Sequence, residues 1–288
     1  MGEFQDALVM NTAIGTATRK VYGYHYNRLM RLTDNEKLLP MSEDRLISVI
    51  NNDDIPPQSA NGMLSVILLI RRANGLPVDK LVKYRETTLY DAKIAHKRIQ
   101  NIKLKDELPN TEDINKYTRY LYNTKDYVGY IINYLMIRYA TRNKDLNIII
   151  TRNPDVVKKK DDSNVNYLYL TRSYVTYIRN DYKTQSRYGK KKHRIDNTLF
   201  NKAVTALLGD EYETPLLQLN DGEPISEESL AKVIQRKTYN SIGEGKYFKV
   251  QIQDLKSQRN IKRIKELANS RGTDIATTFK EYDIDELV

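Results

Sequence analysis

The sequence contains no cysteine and no tryptophan, and it has three histidines among its 288 residues. Without cysteine, the chain can form no disulfide, carry out no thiolate chemistry and bind no zinc through thiolates. His25, His96 and His193 are scattered along the chain, which argues against a histidine-based metal site. We therefore expect neither a metal nor another cofactor.

Long apolar runs are also missing. No stretch approaches the roughly 18 consecutive apolar residues that a membrane-spanning helix needs, and no signal peptide is visible. These features predict a soluble, intracellular protein that does not insert into a membrane.

The chain does have an excess of positive charge. Lys and Arg number 47 against 37 Asp and Glu, which gives a formal net charge of +10. This balance favours a polyanionic partner, either nucleic acid or an acidic membrane surface. Hydrophobic residues make up 40% of the chain, enough to build cores, and the length predicts about two domains.

The first third of the chain reads as helices. Apolar residues recur at spacings of three and four from about residue 12 to residue 100, interrupted at Pro56-Pro57 and Asn74-Gly75. The charged stretch from Asn101 to Pro109 ends in proline and is the best linker candidate. We therefore predict a helical domain over residues 1–105 and a second, larger domain over 106–288.

The second part of the chain begins with the apolar periodicity of helices and then changes to that of strands. Helices are predicted from Asn110 and from Lys125 to Arg138, and everything after Asn197 again reads as mostly helical. Between them lie segments rich in aromatic and β-branched residues, which predict strands. These segments are Leu146–Ile150, Tyr167–Leu170, Ser173–Ile178 and Lys192–Ile195. The predicted class is mainly α with a small antiparallel β-sheet.

Three segments carry residues suited to phosphate chemistry. The first is Tyr139-Ala140-Thr141-Arg142-Asn143-Lys144-Asp145-Leu146, the second is the basic run from Asn180 to Lys192, and the third ends in Tyr282, nine residues after Gly272-Thr273. Each has an ordinary alternative: a helix-terminal arginine with an i,i+3 partner, an exposed basic hairpin, and one of 22 tyrosines.

Together these segments resemble the tyrosine recombinases, or integrases. The resemblance implies site-specific DNA recombination, in which Tyr282 attacks a DNA phosphate and forms a 3′-phosphotyrosyl link. Arg142 would hold the phosphate, and Lys183 would protonate the departing 5′-oxygen, with Lys190 as a possible substitute. No metal or cofactor is needed for this chemistry.

The sequence departs from the family at its His-x-x-Arg motif. Lys246 and Lys249 fall at the matching positions, and lysine keeps the charge but loses the fork geometry of arginine. An alternative register places Gln253-Asp254-Leu255-Lys256 there, and Arg259 or Arg263 could enter the site from the same region. Thr273 stands where the family has a later His or Trp.

The first domain resembles the family's core-binding domain. The resemblance implies contacts between its basic residues and the DNA backbone, which position the protein without reading sequence. The candidate DNA-binding residues are Arg19, Lys20, Arg28, Arg71 and Arg72, with Lys190 from the second domain. It also implies double-stranded DNA as partner and a homotetramer on DNA.

Three functions stay open from the sequence. The first is a catalytically active recombinase, of a divergent viral or mobile-element kind, acting in a host nucleus, a viral replication compartment or a bacterial cytoplasm. The second is a catalytically inactive DNA-binding protein that retains the recombinase fold, as the altered His-x-x-Arg motif indicates. The third is a helical nucleic-acid-binding protein unrelated to recombinases.

Overall fold

The computed structural model describes residues 2–52, 54–158, 165–219, 222–223 and 225–283. The chain divides into two compact units, Met1–Lys103 and Leu104–Glu286. The boundary falls inside a helix that continues to Glu107, so most of the stretch predicted as a linker, Asn101 to Pro109, is helical. Among the described residues, no helix is both long and apolar enough to cross a membrane.

The first unit is built from helices alone within its described residues. They are α1 (Glu3–Met10), α2 (Thr16–Leu32), α3 (Glu43–Ile50), α4 (Pro57–Ala73), α5 (Asp79–Glu86) and the beginning of α6 (Thr88–Glu107). Pro56 ends the preceding segment and Pro57 occupies the first turn of α4, where its missing N–H costs nothing. Helix α1 was not predicted. The core of this unit centres on the buried face of α4, where Met63, Leu64 and Ile67 are fully buried.

The second unit contains the remaining helices. They are α7 (Thr111–Asn123), α8 (Tyr127–Tyr139), α9 (Asp155–Lys158), α10 (Gln185–Tyr188), α11 (Thr198–Leu208), α12 (Glu227–Lys237), α13 (Glu244–Ser257), α14 (Ile261–Arg271) and α15 (Ile275–Tyr282). Side-chain caps begin five of them, because an Asn or Asp oxygen accepts the N–H three residues later. The capping residues are Asn110, Asp126, Asn197, Asn260 and Asp274.

One five-stranded sheet lies in the second unit. Its strands are β1 (Ile148–Thr151), β2 (Asn166–Leu170), β3 (Val175–Arg179), β4 (Lys191–Ile195) and β5 (Glu213–Pro215), in the order β4-β3-β2-β1-β5. The pair β1–β2 is parallel and the other pairs are antiparallel, so the sheet is mixed rather than antiparallel as predicted. The edge strand β5 was missed because it is short and contains proline. The mainly helical class with one small sheet is confirmed.

Two hydrophobic clusters organise the second unit. The larger one packs α8 and α11 against the sheet and includes Leu135, Leu168 and Phe200. The smaller one consists of Ala140, Phe248, Ile252, Ile264 and Leu267, with Phe279 and Tyr282 packed against it. The smaller cluster therefore holds α13, α14 and α15 against the end of α8, where Arg142 follows.

Candidate active site

The turn after α8 positions Arg142. Helix α8 ends when Ala140 adopts a left-handed conformation with φ 49°, and Ala140 is almost fully buried. Asp145, in the 3-10 turn Lys144–Leu146, accepts the main-chain N–H of Arg142 at 2.8 Å. The carboxylate therefore stabilises the turn that presents the Arg142 side chain.

A buried ion pair lies beneath this turn. Arg179, the last residue of β3, and Asp145 are both fully buried and in direct contact through Arg179 Nη2 and Asp145 Oδ2. Arg179 Nη1 also donates to the carbonyl of Ser270 near the end of α14. Arg179 thus connects the sheet, the Arg142 turn and α14. It was not among the predicted site residues.

Arg271 is the central cation of the site. It is the last residue of α14 and is 2% exposed. Its Nη1 donates to the carbonyl of Ala140 at 3.0 Å, and its Nη2 lies 3.5 Å from the Tyr282 hydroxyl. Arg142 Nη1 donates to the main-chain carbonyl of Arg271. These contacts bring Arg142, Arg271 and Tyr282 together.

Tyr282 ends α15 and is half-buried. Its ring meets that of Phe248 edge-on at 4.7 Å between centroids, and the Arg271 guanidinium lies 5.2 Å from the Tyr282 ring centroid. The next residue, Asp283, accepts hydrogen bonds from Gln253 at 3.1 Å and from Lys256 at 2.6 Å. The Tyr282 ring is therefore held by packing against Phe248, and the hydrogen bonds of Asp283 to α13 hold the main chain next to it.

Glu244 forms an ion pair with Arg271. Its Oε1 lies 3.1 Å from Arg271 Nη2, and its Oε2 accepts the main-chain N–H of Asn143. The Glu244 side chain is 24% exposed, against 2% for Arg271. Glu244 is thus the solvent-side partner in this ion pair.

The positively charged side chains of the site lie close enough together to lower one another's pKa. Burial, and then the nearby Arg271, lower the pKa of Arg142. Burial, followed by Arg179 with a further contribution from Arg142, lowers the pKa of Lys191 to about 8. An anion bound among these groups would offset their repulsion. The electrostatics therefore favour an anionic ligand such as a phosphate.

The hairpin between β3 and β4 brings Lys191 towards the site. Lys191 Nζ donates to the carbonyls of Asn269 and Ser270 at the end of α14, the latter at 3.3 Å. Thr184 Oγ1 donates to the carbonyl of Gly272 at 2.7 Å, which fixes the start of the turn. Lys183 and Lys190, the lysines predicted for proton donation, are exposed.

The residues predicted from the His-x-x-Arg region differ in their exposure to solvent. Lys246 is exposed and pairs with Glu107 at 3.2 Å, while Lys249 is half-buried on the same helix, α13. Thr273 is partly buried, and its N–H donates to the Ala268 carbonyl at 3.0 Å to close α14.

The two alternative arginines also have defined positions. Arg263 donates to the carbonyl of Arg138 at 2.9 Å and pairs with Glu266 at 3.0 Å. Arg259 is exposed at the turn between α13 and α14. The arginine that approaches Tyr282 is Arg271, which neither register of the motif included.

In the first unit, the predicted DNA-binding residues differ in accessibility. Arg71 is 6% exposed and donates to the carbonyls of Met41 and Pro77, both at 2.8 Å, so its guanidinium stabilises the fold. Arg19 is partly buried and donates to the Ile14 carbonyl at 2.9 Å. Arg28 is half-buried, whereas Lys20 and Arg72 are exposed.

Sequence reasoning missed Arg271, Arg179, Lys191 and Glu244. One signal could have identified Arg271, because it directly precedes Gly272, a residue of the type that ends helices. In the part of the chain that the structure describes, no cluster of three or more His, Asp or Glu residues could hold a metal ion.

Comparisons with known proteins give little beyond this geometry. No family model matches the chain, and no curated protein matches it. Among solved structures, the crystal structure of XerA recombinase is similar with a TM-score of 0.37 and 13% sequence identity, over 98% of this chain and 92% of that chain. With so low a TM-score, the likeness adds nothing to what the residues themselves indicate.

Proposed function

We propose that this protein cleaves and rejoins DNA strands through a covalent link to Tyr282. The observation that supports the proposal best is the contact of Arg142 with the segment that carries Arg271 and Tyr282, 129 residues further along the chain. The Tyr282 hydroxyl lies 3.5 Å from Arg271 Nη2, and Arg142 donates to the main chain of Arg271. A phenol beside one arginine, with a second arginine bonded to the same helix end, is suited to attack on a phosphodiester.

In the proposed reaction, the Tyr282 oxygen attacks the phosphorus and releases its proton to solvent. The bond between phosphorus and the 5′-oxygen breaks, which leaves a 3′-phosphotyrosyl link and a 5′-hydroxyl. Arg142 and Arg271 stabilise the negative charge that develops on the non-bridging oxygens, since guanidinium groups grip oxygen pairs. Attack by the 5′-hydroxyl of a second strand restores the phosphodiester and the free phenol.

Lys191, whose Nζ donates to the Ser270 carbonyl next to Arg271, is the proton donor that we favour. A pKa of about 8 keeps the ammonium protonated at neutral pH yet makes it a better acid than an ordinary lysine. Lys183 remains the alternative that the family resemblance implies. Replacing each lysine with Met, and supplying a DNA whose bridging 5′-oxygen is sulfur, separates them. A good leaving group rescues loss of the general acid but not loss of a DNA contact.

Covalent trapping tests the proposal. We expect nicked suicide substrates to yield a protein–DNA adduct that withstands denaturation and that Tyr282→Phe abolishes. Tyr212→Phe is a matched control, because Tyr212 is an exposed tyrosine of the same unit. An adduct that survives Tyr282→Phe would refute the assignment of the nucleophile.

A catalytically inactive DNA-binding protein is the second candidate function. The replacement of both His-x-x-Arg residues by lysine favours it, since Lys246 is exposed and paired with Glu107. Tight DNA binding without any adduct would support this function. In either case the DNA partner and the tetramer remain predictions.

A further inference from the structure

We propose that Glu244 competes with the scissile phosphate for the same hydrogen-bond donors, so that DNA must displace this carboxylate before Tyr282 can react. The inference rests on the proposed function of the site and adds a means of regulating it. It concerns the segment Gly243-Glu244 at the start of α13, which was not among the predicted site residues.

The contacts of Glu244 are those that a phosphate would make. One carboxylate oxygen lies 3.1 Å from Arg271 Nη2, and the other accepts the main-chain N–H of Asn143. Guanidinium groups and main-chain N–H groups are the usual donors to phosphate oxygens. A carboxylate held by two such donors mimics two non-bridging oxygens of a phosphodiester.

Glu244 is not needed to hold Arg271 in place. The Arg271 guanidinium is fixed by the Ala140 carbonyl at 3.0 Å and lies 4.7 Å from the Phe248 ring centroid. Within the described residues, its Nε is buried with no hydrogen-bond partner, so the guanidinium retains unused donor capacity. The cation can therefore keep its position while its anionic partner is exchanged.

The position of Glu244 also allows it to leave. It is the first residue of α13 and follows Gly243, which makes no side-chain cap. Its side chain is 24% exposed, so rotation towards water requires no repacking of the core. A carboxylate in the first turn of a helix also stays favourable in its outward position, because the helix amino terminus carries partial positive charge.

Exchange of one anion for another preserves the charge balance around the nucleophile. Glu244 and the Tyr282 hydroxyl approach the same Arg271 nitrogen, at 3.1 Å and 3.5 Å. A bound phosphodiester brings one negative charge to the donors that Glu244 releases. Arg142 and Arg271 are then compensated in both arrangements, and Arg271 contacts a phosphate only when that phosphate displaces Glu244.

Titration of the purified full chain with inorganic phosphate tests the inference. If the open arrangement is populated about one-tenth of the time, Glu244→Gln should bind phosphate about tenfold more tightly than the original chain. Glu107→Gln is the matched control, because it removes the carboxylate of the exposed pair with Lys246 in the same unit. We expect the control to leave phosphate affinity unchanged.

Unchanged or weaker phosphate binding by a folded Glu244→Gln variant would overturn the inference. Glu244→Asp covers the case in which the glutamine variant unfolds: it keeps the charge but retracts the carboxylate, and should also tighten phosphate binding. The trapping assay separates this inference from the proposed function. Adduct formation with unchanged phosphate affinity would refute the role of Glu244 alone. Tighter phosphate binding without any adduct would support the anion site and count against the proposed chemistry.

Discussion

We expect the substitution Gly272→Ala, which adds a single methyl group, to disrupt the site strongly. Its φ is +72°, and an added Cβ would lie 2.3 Å from Thr184 Oγ1 and 2.9 Å from Tyr182 Cε2. The left-handed backbone costs a side chain about 1–2 kcal/mol and overpacking about 1–3 kcal/mol, so Gly272→Ala should lower the unfolding free energy by about 2–5 kcal/mol. Because Arg271 precedes this glycine, adduct formation should fall as well.

The assay is urea unfolding followed by hydrogen exchange of individual peptides, which reports each unit separately. Gly75→Ala is the control, since Gly75 has a φ of +65° and its added Cβ would meet no atom within 4 Å. It should show only the backbone cost of about 1–2 kcal/mol. A Gly272→Ala variant no more destabilised than Gly75→Ala would contradict the packing of the hairpin against the end of α14.

Three further predictions follow from buried and exposed cations. Arg179→Met leaves the Asp145 charge buried without its partner and should cost about 3–5 kcal/mol in urea unfolding, most of which Asp145→Leu in the same chain should restore. The pKa of Lys191 is lowered to about 8 from 10.5, so between these pH values the unfolded chain binds a proton that the folded chain lacks. The contribution of Lys191 to the unfolding free energy therefore rises with pH from about 8 to 10.5, and Lys191→Met should remove that rise. Adduct formation should decline above about pH 8, where Lys191 loses its proton. Arg71→Met should destabilise the first unit by about 1–3 kcal/mol, whereas Arg72→Met should leave stability within about 0.5 kcal/mol and reduce the salt dependence of DNA binding by about one phosphate contact.

Each of these has a clear contrary result. A double variant at Arg179 and Asp145 as unstable as the single one would show that the pair is not the source of the cost. An unaltered pH profile in Lys191→Met would move the proton donor elsewhere, with Lys183 the next residue to replace. Equal stability of the Arg71 and Arg72 variants would contradict the buried position of Arg71.

Much of the fold follows from local patterns in the sequence. Apolar spacing and Asn or Asp caps predict the helices, and runs such as Tyr167–Leu170 predict the strands. The parallel pair β1–β2 could not be predicted in this way, because strand direction depends on the chain between the strands. The continuation of α6 through the predicted linker shows that a charged segment with good helix formers stays helical up to the residues before Pro109.

The site was harder to predict than the fold, for two physical reasons. Arg142 and Tyr282 belong to segments with fixed spacing, whereas Arg271 acquires its place through the glycine cap and the packing of α14 beside α8. The lysines between residues 183 and 192 are chemically equivalent in the sequence. They differ in the folded chain, where helix α10 forms part of the connection between β3 and β4. Strand β4 then directs Lys191 towards the carbonyls of α14.

The eight residues of α15 are too few for a helix that is stable by itself. Asp274 caps its amino end, where negative charge is favourable, but Asp283 follows its carboxyl end, where negative charge is not. Lys256 of α13 offsets that second charge at 2.6 Å. The helix that carries Tyr282 therefore depends on contacts with α13 for its stability, and any ligand that moves α13 must also move the phenol.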